Sequence, residues 1–201
     1  MQMALGILKQ RANHQQKAYV TDVQEELEHM SGLINKLLSF SKAQINPSGK
    51  DLMPVNVATA VQSVLEREGS AAATIEMRVE KNIEVLAQPE YLFRSLANLV
   101  RNAVSSAGHA GPIVVSAANG GNTVSIVVAD EGPGVPESEI EEIFKPFYRP
   151  EFARQRETGG TGLGLAIVKS CVEACGGTVH CRNKRPHGLH VEILLSAYSA
   201  D

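Results

Sequence analysis

Four short segments carry residue types whose spacing suits the handling of a flat, highly charged ligand. Asn98 and Asn102 stand four apart in the stretch 89–107, where Leu92, Leu96, Leu99 and Ala103 recur at helical intervals. Arg94, Asn98, Arg101, Asn102 and Ser105 then fall on another side of the same helix, and the two amides point together. Amide oxygens are hard, neutral ligands that suit Mg²⁺ already surrounded by a triphosphate, where added carboxylates would repel the phosphates. Arg101 offers a positive charge on that side. An asparagine pair by itself is also what an ordinary solvated helix face carries. Asp130-Glu131-Gly132-Pro133-Gly134 follows directly on the apolar run Val124–Ala129, which sets a carboxylate where a buried strand meets a Gly-rich turn. Such a carboxylate can accept a hydrogen bond from an exocyclic amine such as that of adenine. Gly132 and Gly134 would let backbone approach a flat base without a Cβ in the way. Asp and Gly are also standard turn residues, so these positions alone fit a structural turn equally well.

The other two segments adjoin each other. Ile143-Phe144-Lys145-Pro146-Phe147-Tyr148-Arg149 places three aromatics within five residues of a chain with only nine Phe and Tyr in all. The polar stretch 150–158 after it reads as a lid anchored by those rings. Gly159-Gly160-Thr161-Gly162-Leu163-Gly164-Leu165 then runs into a helix predicted over 163–174. Backbone N–H groups at a helix N-terminus, opened by glycines, make an anion site. This is not a Walker loop, because no Gly-Lys-Ser/Thr ends it, and it lacks the acidic residue and following strand of a dinucleotide fingerprint.

The elements that must position these segments are legible as periodicities. Pro89 opens the helix carrying the asparagines, and strands are predicted at 55–57, 74–79, 83–87, 113–118, 123–129, 178–182 and 189–195, with a further helix over 58–68. Strands mixed with helices and ending in a strand pair imply an α/β sandwich with helices on one face of the sheet. Ahead of this, Val20, Val23, Leu27, Met30, Ile34 and Leu37 repeat at spacings of three and four, a heptad seam that calls for partner helices. Met3, Leu5, Ile7 and Leu8 form a shorter apolar piece before it. Asn46-Pro47-Ser48-Gly49-Lys50 is the clearest break.

The whole chain of 201 residues has 43% hydrophobic and 20% charged residues and a formal charge of −3, the composition of a globular protein without the basic field that nucleic acid requires. No run is long and apolar enough to cross a bilayer, so the reading expects a cytoplasmic chain. Three cysteines without metal-type spacing, Cys171, Cys175 and Cys181, are expected to be free thiols holding no zinc.

In this order and at these intervals, Asn98/Asn102, Asp130-x-Gly-x-Gly, the Phe144 segment and Gly160-x-Gly-x-Gly resemble the N box, first glycine box, F box and second glycine box of bacterial sensor histidine kinases of two-component systems. The stretch 144–165 is particularly similar to envelope-stress and osmosensor kinases. The resemblance implies a Bergerat-type (GHKL) two-layer α/β sandwich, a mixed sheet with helices on one face, over residues 54–197. A dimerisation hairpin over 1–45 and a linker over 46–53 would precede it. It implies ATP and Mg²⁺ as cofactors, with Asn102 as metal ligand assisted by Asn98 and Asp130 on the adenine amine. Gly132 and Gly134 would shape the base pocket, and Gly160, Thr161, Gly162, Leu163 and Gly164 would cradle phosphates. Arg101, Lys145 and Arg149 are expected phosphate contacts, and Phe147 is expected to line the nucleotide. Further expectations are a homodimer through the hairpin, a response regulator as partner of the parent protein, no nucleic acid, and a parent that is an inner-membrane sensor.

The pattern departs from the family in two places. The acceptor segment, His-Glu/Asp-x-x-Thr/Ser-Pro-Leu, does not occur, and neither His14 nor His29 is followed by an acid. The chain is therefore expected to bind ATP without phosphorylating itself. Ser106 stands where relatives often carry an aromatic residue or His. The competing readings are a non-catalytic nucleotide-binding dimeric module and an anti-sigma serine kinase or another ATPase of the same fold.

Overall fold

The computed structural model describes residues 16–23, 27, 30, 32, 52–69, 73–107, 110–150 and 160–199. The chain divides into two compact units, 1–39 and 40–201. In the first, the described residues between 16 and 32 are helical. Tyr19, Val23 and Met30 are exposed there, at 66%, 50% and 49% of their surface. The short piece before this helix, the end of the heptad seam, and residues 46–51 of the expected linker lie outside the described residues.

The second unit is an α/β sandwich. Strands β1 (Met53–Asn56), β2 (Ile75–Arg78), β3 (Glu84–Ala87), β4 (Ile113–Asn119), β5 (Thr123–Ala129), β6 (Thr178–Asn183) and β7 (Leu189–Ser196) alternate with helices α1 (Val57–Glu68), α2 (Pro89–Ala107) and α3 (Gly164–Ala174). The main sheet has the order β2-β4-β5-β7-β6, and β1 pairs with β3 in a separate two-stranded sheet. The β2–β4 pair is parallel and the rest of the main sheet is antiparallel, which makes the sheet mixed. Along β5 and β7 alternate residues are buried, the two-residue period of strands that give one face to a core. Facing that core, α2 buries Leu92, Leu96, Leu99 and Ala103, as its spacing predicts. With no Trp in the chain, the largest fully buried side chains are Leu, Ile and Val.

Two boundaries differ from the sequence reading. The first strand begins at Met53, inside the predicted linker, and ends at Asn56, while Val57 opens the helix predicted to start at Ala58. The cause is a cap. Asn56 Oδ1 accepts the Thr59 N–H at 2.9 Å and its amide donates to the Lys81 carbonyl at 2.7 Å, so the chain turns helical one residue early. The helix predicted from Leu163 begins at Gly164, with Leu163 in the cap position. Cys171, Cys175 and Cys181 are free thiols. Burial pushes Cys171 up to about 12 and Cys181 up to about 11, the behaviour of packing residues rather than nucleophiles.

Candidate functional site

At the end of β5, Asp130 is 3% exposed. Its Oδ1 accepts the Gly132 N–H at 2.7 Å and the Leu189 N–H at 3.3 Å, and its own N–H donates to the Leu189 carbonyl at 3.0 Å. Burial pushes the carboxyl above its ordinary value. The N–H groups of Gly132 and Leu189 pull it back, Glu131 beside it adds to the rise, and Lys184 opposes it. What results is a rigid acceptor in a dry setting, where one hydrogen bond counts for more than it does in water.

The two glycines of this turn are required by the protein's own atoms. A Cβ on Gly132 would stand 2.9 Å from Asp130 Oδ1 and 3.0 Å from the Ser106 carbonyl oxygen. Gly134 has φ +75°, and a Cβ there would stand 2.6 Å from Asn183 Oδ1. Asn183 occupies that space as a staple, accepting the Val135 N–H at 2.9 Å and donating to the Val135 carbonyl at 2.6 Å and to Glu137 at 3.0 Å. The space that a Cβ on Gly134 would take is thus filled by Asn183.

Midway along α2, Asn98 is buried, at 8% exposure, rather than on an open polar side. Its amide donates to the Arg94 carbonyl at 2.8 Å, which turns Oδ1 outward. That oxygen accepts Arg101 at 3.1 Å and lies 3.6 Å from where a Cβ on Gly164 would be. Asn102 is half-buried one turn further on. Arg101 is engaged at 3.2 Å with Glu68 at the end of α1.

The aromatic segment and the second Gly-rich segment lie against each other. Phe147 has φ +65°, uncommon for any side chain larger than Asn, and is 64% exposed. Its N–H donates to the Gly162 carbonyl at 2.9 Å. A Cβ on Gly162, itself at φ +70°, would stand 2.7 Å from the Phe147 carbonyl carbon and 2.8 Å from the Tyr148 oxygen. The segments that flank the predicted lid thus meet, while residues 151–159 lie outside the described residues. Lys145 pairs with Glu142 at 2.6 Å and borders a groove of about 690 Å³ that also touches Lys169, Glu173 and His180. Arg149 is half-buried.

At the N-terminus of α3, Leu163 takes the cap position, 1% exposed and without a side-chain oxygen to offer. No acidic residue occupies the first turn, and Gly160 is exposed just before it. Helices ordinarily satisfy this end with Ser, Thr, Asp or Asn. Here the first-turn N–H groups and the positive end of the dipole have no side-chain cap, an arrangement suited to phosphate.

The fold therefore joins the segments found in the sequence: Asn98 to Gly164, Phe147 to Gly162, and the Asp130 turn to α2 through Ser106. The donor set fits Mg²⁺ carried by a polyphosphate. The asparagine oxygens are neutral, and no cluster of three or more His, Cys, Asp or Glu occurs among the described residues to hold a metal by itself. Sequence reasoning missed Asn183, Lys184 and Gly188. A Cβ on Gly188, at φ +114°, would overlap the Asp130 carbonyl. The available signal was a glycine just before the last strand, far in sequence from every motif.

A family profile described as histidine kinase-, DNA gyrase B- and HSP90-like ATPase matches residues 87–199. The sensor-like histidine kinase SenX3 of Mycobacterium tuberculosis is 33% identical over 88% of this chain and 45% of its own length. The sensor histidine kinase CpxA of Escherichia coli is 32% identical over 98% of this chain and 43% of its own length. The chain thus spans a little under half the length of these relatives. Among solved structures, full-length ShkA in complex with AMPPNP superposes with TM-score 0.80 at 29% identity, over 98% of this chain and 42% of that one. The mycobacterial sensor histidine kinase MprB does so with TM-score 0.67 at 28% identity, over 74% of this chain and 100% of that one.

Proposed function

The chain belongs to the histidine kinase-, DNA gyrase B- and HSP90-like ATPase family, and from that premise we propose that it is the ATP-binding catalytic region of a two-component sensor histidine kinase. The observation that carries this reading is the junction of α2 and α3, where the outward oxygen of Asn98 stands beside Gly164, the first residue of a helix with no side-chain cap. Metal-ligand chemistry and phosphate-binding chemistry converge at that point. ShkA, which superposes over nearly the whole chain, is described in complex with an ATP analogue, which supports nucleotide binding here.

In this reading Asp130 accepts the adenine amine. The backbone N–H groups of Gly160, Thr161, Gly162, Leu163 and Gly164 receive the phosphates, and Asn102, assisted by Asn98, holds the metal. When bound with the nucleotide, Mg²⁺ neutralises phosphate charge. Arg101, Lys145 and Arg149 contact the phosphates in this reading, each by giving up its present partner, which is Glu68 for Arg101 and Glu142 for Lys145. Phe147, exposed between the Phe144 turn and Gly162, shields the phosphates from water. In the parent protein, fixed N–H groups and cations around the γ-phosphate stabilise the charge that develops as it passes to a histidine. A response-regulator aspartate then receives it. The relatives are named as sensors, and in this reading the parent spans the inner membrane with this region on its cytoplasmic side.

The reading predicts binding of Mg-ADP in the micromolar range, about −8 kcal/mol. Titration calorimetry with and without Mg²⁺ tests it. Asn102→Ala should abolish most of the affinity that Mg²⁺ adds, while metal-free ADP binds the variant and the wild type alike. An unchanged Mg²⁺ effect in the variant would remove Asn102 from the metal site.

A further inference from the structure

The turn that presents Asp130 is gripped from outside by the hairpin joining β6 to β7. Lys184, the first residue after β6, forms an ion pair with Glu131. His187 Nδ1 lies 3.1 Å from the Glu131 carbonyl oxygen and 3.6 Å from its Oε2. The Lys184 N–H donates to the Gly188 carbonyl at 2.9 Å, closing the hairpin, and Gly188 packs on the Asp130 carbonyl. From the other side Gly111 leaves room for the Glu131 stem, since a Cβ there would stand 2.7 Å from Glu131 Cγ. Glu131 is held on two sides and its side chain is only 20% exposed.

We propose that Glu131 and Lys184 form a clamp that sets the direction of the Asp130 carboxylate and thereby the selectivity of the site for a purine bearing an exocyclic amine. This rests on the reading of Asp130 as the base acceptor. The argument is geometric. Asp130 Oδ1 is committed to Gly132 and Leu189, so Oδ2 is the oxygen that meets a ligand, and its direction follows the rotation of the turn. Hydrogen bonds weaken steeply with misalignment, and a displacement of about 1 Å at a binding group has large effects. Neither clamp residue need touch the nucleotide. Glu131 fixes the turn, Lys184 fixes Glu131 and offsets the second negative charge beside Asp130, and both are positioning residues.

The test compares ADP with purine riboside 5′-diphosphate, which lacks the amine, by calorimetry on the full chain with Mg²⁺. The wild type should prefer ADP about tenfold or more, the range of a hydrogen bond to a charged group. In Glu131→Gln and in Lys184→Met the preference should fall about threefold or more, with the double variant no worse than either single. Lys184→Arg should retain it. Binding of purine riboside diphosphate should hardly change in any of them. A preference that survives both single substitutions, or an equal loss for both nucleotides, would overturn the clamp. A preference that survives Asp130→Asn would overturn the base reading itself. Should Lys184→Met not fold, the near-isosteric Glu131→Gln decides alone.

Discussion

At the scale of single residues the site is dominated by the cost of keeping one carboxylate dry. Asp130 is raised by burial above the ordinary carboxylate value of 3.8, so the folded protein holds its proton more tightly than the unfolded chain does. Its linkage term therefore favours folding below pH 3.8 and is lost as pH rises through the folded value. At neutral pH the ionised group is a liability that ligand binding justifies. Asp130→Asn keeps an oxygen for the Gly132 and Leu189 N–H groups and removes the buried charge. Thermal unfolding should then show the variant at least as stable as the wild type at pH 7, with the difference shrinking as pH falls from neutral toward 3.8. A variant less stable at pH 7 and equal near pH 4 would reverse the sign and contradict this account. The identity of Asp130 was legible in the sequence as a carboxylate between an apolar run and two glycines. The purpose of Gly134 was not, because Asn183, whose amide fills its space, lies 48 positions beyond Val135, to which it bonds.

Among elements, the helices were the most legible. The Leu92, Leu96, Leu99 and Ala103 stripe of α2 needs only a 3.6-residue period, and all four are buried. The start of α1 was read one residue late because Val57 is apolar and β-branched and continues the strand by propensity. Asn56 overrides that propensity by capping the helix, while the Val57 N–H still makes a strand-like bond to Ile83 at 3.0 Å. The cap also ties α1 to the turn before β3 through Lys81. Asn56→Ala should cost about 1 kcal/mol, seen as a melting temperature lower by about 2–4 °C in a domain of this size. The nucleotide affinity of the folded variant should not change, since Asn56 caps the end of α1 opposite to the one where Glu68 meets Arg101. The α3 start carries the opposite lesson. A buried Leu163 in place of a capping side chain is poor for an isolated helix, and it becomes intelligible once Gly164 is seen against Asn98.

For the molecule as a whole, the heptad seam predicts association. Among its described members, Val23 and Met30 are exposed, with Tyr19 beside them, and Val20 and Leu27 are half-buried. A helix that leaves this apolar row open seeks a partner of like pattern. Sedimentation should show self-association that rises with concentration and is abolished in Val23→Asp/Leu27→Asp. A wild-type monomer at every concentration would count against the seam. No described helix is long and apolar enough to cross a membrane. The sequence by itself determined the four chemical segments, their order, the helix stripes and the alternating strands, because each depends on residues within a few positions of one another. Only the tertiary structure decided how Asp130 is aimed. Antiparallel pairing of β5 with β7 and of β7 with β6 brings Lys184 to Glu131 across 53 positions, along with Asn183 and Gly188. Contacts made by strand pairing at that separation leave no period or local spacing in the sequence by which they could be read.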